Sequence, residues 1–66
     1  MADISRLTDR EKDVLILLAN GHDAKSVAAK LGISVHAANE RMRSAREKMG
    51  VTSSREAARI FAAQHP

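Results

Sequence analysis

Leu31-Gly32-Ile33-Ser34, near the middle of the chain, has the form of a tight connection between two helices. Gly32 suits the left-handed residue that ends a helix. Ile33 is an apolar plug, and Ser34 is a fresh N-cap. Upstream, Ala24, Val27, Ala28 and Leu31 recur at i, i+3, i+4, i+7, one apolar face behind an Asp23 cap. Downstream, Val35, Ala38, Met42, Ala45 and Met49 are spaced 3, 4, 3, 4, and Gly50 stops the run. A short helix, a glycine turn and a longer helix make the connection of a helix-turn-helix.

Working outward, Thr8-Asp9-Arg10-Glu11 is a capping box that opens a first helix. Val14, Leu15 and Leu18 form its stripe, Ile16 and Leu17 widen it, and Gly21 ends it. Ser53-Ser54-Arg55-Glu56 is a second capping box, followed by an inner face of Ala57, Ile60 and Phe61. The expected helices run over about 9–20, 24–31, 35–49 and 54–64, with His65-Pro66 a frayed tail. The whole chain, 1–66, reads as one compact all-α domain of four helices without a wing.

Composition agrees. The chain has 66 residues, and 12 of its 29 apolar residues are alanine, the best helix former. A chain this short leaves no room for a second domain. With no cysteine there is no disulfide, no thiolate zinc and no cysteine nucleophile. His22, His36 and His65 stand at no metal-ligand spacing, and no glycine loop suits a phosphate cofactor. No metal, cofactor or catalytic residue is expected. No apolar run approaches a membrane span, and no signal-peptide core is present. The expectation is a soluble, cytoplasmic domain that is not an enzyme.

The net charge of +3 lies wholly in the second half. Residues 1–33 hold five acids and five bases; residues 34–66 hold six bases and three acids. A basic second half suggests a polyanion partner, here double-stranded DNA. Counting 100° per residue from Val35, the side opposite the apolar stripe lies near about 130–140°. Glu40 and Glu47 sit there, flanked by His36, Ala37, Arg43 and Ser44. Asn39 and Arg46 form one shoulder, Arg41 and Lys48 the other. Asn39 suits adenine, Arg43 guanine and Glu40 cytosine, so these three are the candidate base readers. Glu40 also stands where it can pair with Arg43 or Ser44. Lys25, Ser34, His36, Arg41, Arg46 and Lys48 are the candidate phosphate contacts. Small residues outside the fourth helix's core stripe, Ala58 and Ala62, with Arg59 nearby, mark a candidate surface for a weak homodimer.

The chain resembles the LuxR-type (GerE-like) helix-turn-helix domain of bacterial transcription regulators. The resemblance rests on Leu7-Thr8-Asp9-Arg10-Glu11, Val14-Leu15, Ala19-Asn20-Gly21, Lys25, Val27-Ala28, Leu31-Gly32-Ile33-Ser34, Lys48-Met49-Gly50-Val51, Ser53 and Glu56-Ala57. It implies operator binding by the third helix, base contacts at Asn39, Glu40 and Arg43, and dimerisation through the fourth helix. It also implies RNA polymerase or a sensor or receiver domain as further partners. The family's Thr-Val-Lys-x-His is replaced here by Ala37-Ala38-Asn39-Glu40-Arg41, and its arginine after the Ser53 position is displaced to Arg55. Two other readings stay open at this stage. The turn followed by Arg41–Met49 is also similar to region 4 of sigma factors, a promoter-recognition module. The acidic Glu40 and Glu47 suit a protein-interaction module that has lost its operator.

Overall fold

The computed structural model describes residues 4–64, so the expected tail at His65-Pro66 lies outside the described residues. A short 3-10 turn, Ile4–Arg6, leads into α1 (Asp9–Ala19), α2 (Ala24–Leu31), α3 (Val35–Met49) and α4 (Ser54–Gln64). No strand occurs among the described residues.

Each helix start is set by a side chain close in sequence. At α1 the capping box is complete: Thr8 Oγ1 accepts the Glu11 N–H at 3.1 Å and Glu11 Oε1 accepts the Thr8 N–H at 2.9 Å. Asp23 caps α2 through the Ser26 N–H, and Ser34 caps α3 through the Ala37 N–H. At α4 Ser53 Oγ accepts the Glu56 N–H at 3.3 Å, but the return bond of the expected second box is not formed.

The helix ends follow one scheme. Gly32 and Gly50 both have φ near +70° and stand in the left-handed region. The next residue, Ile33 or Val51, then donates its N–H back to Ala28 O or Arg46 O. This is the glycine-ended closure that satisfies free carbonyls, and both apolar residues fold onto the core. α1 stops one residue earlier than expected, because Asn20 is its cap and folds its amide onto Ile16 O.

The core has two lobes. Val14, Val27, Ala28, Ala38 and Met42 join α1, α2 and the first half of α3. Leu7, Leu15, Ala45, Met49, Ala57, Ala58 and Phe61 join α1, α4 and the second half of α3. Leu18 packs against both. Three expectations need correction. Val35 is 41% exposed, because Ile33 packs at that end of the core and leaves the first residue of α3 outside it. Ile16 is 39% exposed and does not widen the α1 stripe inward. Ala58 is buried, because α4 turns Ala57, Ala58 and Phe61 together onto its neighbours.

One charged side chain is buried among the described residues. Glu11, 6% exposed, reaches across to α3, where Ser44 Oγ donates to its Oε2 at 2.5 Å and Lys48 Nζ to its Oε1 at 2.9 Å. Burial alone pushes the carboxyl upward. The Ser44, Lys48 and Thr8 hydrogen bonds and the Lys48 charge outweigh it, bringing the pKa from 4.5 down to about 2.

A carboxyl lowered on folding stabilises the protein above its unfolded pKa, and that stability is lost as the pH falls towards the folded value. Glu11→Gln is therefore expected to lower stability at pH 7 by roughly 2–3 kcal/mol in urea unfolding. The gap between the two proteins should close as pH falls from 4.5 towards 2; a gap that is constant with pH would refute this account. Gly32→Ala should cost about 1 kcal/mol. A Cβ there meets nothing within 4 Å, so the whole cost comes from φ +68°. A neutral effect in the same unfolding assay would contradict it.

Candidate nucleic-acid interface

The Glu11 contact decides which side of α3 faces outward. Counted from Val35, Ser44 and Lys48 lie near about 180° and 220°, on one flank of the helix. Both are half-buried and tied to Glu11. Ala37 and Arg41, between and beyond them, are half-buried as well. The exposed arc is made by Val35, Asn39, Arg43, His36, Glu47 and Glu40, from about 0° to about 140°. Its centre is near Arg43, so the outward face is turned by about 60° from the sequence expectation. No other described element buries this arc.

The three expected base readers share that face. Asn39 is exposed, and its side chain makes no hydrogen bond among the described residues. Arg43 Nη2 and Glu40 Oε2 are 2.7 Å apart, with side chains 63% and 45% exposed. The pair neutralises the carboxylate that would otherwise repel a polyanion. Of its two expected partners Glu40 takes Arg43; Ser44 is committed to Glu11.

The expected phosphate contacts divide into two groups. Lys25, Ser34 and His36 are exposed, and Arg41 is half-exposed. Lys25, His36 and Arg41 carry no ion pair or hydrogen bond through their side chains among the described residues. Lys48 and Arg46 are engaged inside the domain. Lys48 holds Glu11, and Arg46 Nη1 donates to Ser54 Oγ at 2.6 Å, fastening α3 to the start of α4. The free ammonium that the sequence suggests at Lys48 is thus taken up by a carboxylate 37 positions away. On α4, Arg59 and Ala62 are exposed, whereas Ala58 is 2% exposed and lines the same groove as they do.

This shallow groove runs between α1 and α4, lined by Leu18, Ala19, Arg55, Ala58, Arg59 and Ala62. No group of three or more His, Asp or Glu side chains suits a metal ion among the described residues. No helix there is long and apolar enough to cross a membrane.

Residues 5–61 match the family described as bacterial regulatory proteins, luxR family. The chain is also 43% identical over 56 residues to the transcriptional activator protein RaiR of Rhizobium etli. That match covers 85% of this chain but 23% of the relative, so the chain spans about a quarter of the curated relative's length.

Proposed function

The chain belongs to the luxR family of bacterial regulatory proteins, and from that premise we propose that it reads operator DNA through the exposed arc of α3. The family is one of DNA-binding transcription regulators, not of enzymes. The observation that carries the finer reading is the uncovered polar face with Arg43 at its middle. In a helix-turn-helix this face enters the major groove. Arg43 then meets the O6 and N7 of guanine, and Asn39 the N6 and N7 of adenine. Glu40 either accepts from cytosine or orients Arg43 through the 2.7 Å pair.

Lys25, Ser34, His36 within the arc, and Arg41, about 100° round the helix beyond Glu40, serve the phosphates. Arg46 and Lys48 act as struts. Arg59 and Ala62 on α4 mark the surface for a weak homodimer that forms on DNA. The setting proposed is the bacterial cytoplasm. A sensor or receiver domain, and RNA polymerase, are the fitting protein partners for a chain that spans so little of its relative. The reading as a protein-interaction module rests on Glu40, Glu47 and the absence of a lysine at position 39, and the Glu40–Arg43 pair takes up one of those two acids. The family match extends past α3 into α4, which favours the luxR reading over a sigma-factor module.

Selection of bound duplexes followed by titration at several salt concentrations tests the proposal. With Lys25 and Arg41 as the unpaired cations that meet phosphate, log K should fall with log salt at a slope of about −2 per domain. Lys25→Ala should remove about one unit of it. Arg43→Ala should cost about 1–3 kcal/mol on the selected sequence and relax preference at one base pair. Absence of saturable binding to any duplex at low salt would overturn the reading. Lys48→Ala is expected to lower the melting temperature and leave the salt slope unchanged; a slope reduced by one with stability intact would return Lys48 to the phosphate contacts.

A further inference from the structure

Val35 is one of two large apolar side chains left exposed among the described residues, the other being Ile16. Ile16 sits between α1 and α2 beside Leu17 and Leu31, away from the polar arc. Val35 is different in place. It is the first residue of α3, and Asn39 and Arg43 follow it at i+4 and i+8. Residues four apart are neighbours on a helix surface, each turned by about 40° from the last. Val35, Asn39 and Arg43 therefore form one file along the exposed arc: a branched hydrocarbon, an amide and a guanidinium.

The major-groove edge of DNA offers a matching set. Guanine presents two acceptors and adenine an acceptor and a donor. The C5 methyl of thymine is the one apolar group there. We infer that Val35 is a specificity-determining residue that reads a thymine methyl next to the base pairs contacted by Asn39 and Arg43. The assignment rests on the groove reading of α3 above. It explains why a β-branched side chain stands at a solvent-facing helix start that Ser34 and Ile33 already define. It also supplies an apolar contact to a reading head whose other members are polar.

The test deletes the methyl from each side in turn. On the selected duplex, each thymine is replaced singly by deoxyuridine, and affinity is measured for the unaltered protein, Val35→Ala and Arg43→Ala. Removing one methyl's worth of apolar contact is expected to weaken the unaltered protein about four-fold at one thymine. Val35→Ala should bind the thymine duplex several-fold more weakly and show no further loss on the deoxyuridine duplex. Its melting temperature should match the parent, since Val35 lies outside the core. If no deoxyuridine position affects the unaltered protein, or if Val35→Ala remains equally sensitive, the inference is wrong. Should Arg43→Ala abolish selectivity in that case, the groove reading survives without Val35. If no duplex is bound saturably, both fall together.

Discussion

A single buried carboxylate governs the arrangement of this domain. Glu11 closes the capping box of α1 with one oxygen, and its two oxygens also receive Lys48 and Ser44 from α3. An ionised group taken out of water is tolerable only when it is fully paired. Here every neighbour supplied to it is a donor, and the lowered pKa records that the pairing outweighs desolvation. Because Ser44 and Lys48 are one turn apart, the two bonds fix rotation of α3 about its own axis as well as its distance from α1. An apolar stripe of alanines and methionines alone specifies rotation poorly, since methionine packs adaptably and alanine presents only a methyl group. The polar tie supplies the precision that the small core lacks.

This constraint carries through to the reading surface. With the Ser44–Lys48 flank turned inward, the helix shows Asn39 and Arg43 squarely and holds Glu40 at the edge. It also redistributes the positive charge. The second half of the chain carries the entire net charge, yet Lys48 is paired with Glu11 and Arg43 with Glu40, and Arg46 donates to Ser54. Fewer cations are free to meet a duplex than composition suggests. Binding then depends more on fit in the groove, and less on bulk electrostatics, than the charge count implies.

What the sequence revealed and what it concealed divide along one line. Thr8, Asp23 and Ser34 each bond an amide three residues on, and Gly32 and Gly50 act on their own backbone, so these signals are local and legible. The partners of Glu11 are 33 and 37 residues away, and a glutamate in a capping box gives no sign that its second oxygen is used. Ser44 and Lys48 four apart were the available hint, but that spacing is common on solvated faces. Ala58 misled because alanine is small enough to lie on either side of a stripe; only the packing of α4 onto α1 decides it. Val35 fits the 3, 4, 3, 4 pattern and still lies outside, because a period says nothing about where the neighbouring helix ends. The candidate base readers were legible as chemistry, whereas their order across the face depended on the Glu11 tie.

The Glu40–Arg43 pair shows how an acidic residue is compatible with a surface meant for a polyanion. Both side chains are largely in water, where an ion pair is worth at most about 1 kcal/mol. Such a contact is strong enough to neutralise the carboxylate in the free protein and weak enough to yield. On the proposed groove reading, a guanine edge that offers Arg43 two acceptors would compete with it at little cost, and Glu40 would then be free to take a cytosine amino hydrogen. A duplex that offers neither leaves the pair intact and gains nothing from the arc. On that reading, discrimination would arise from the difference between two states of the same pair.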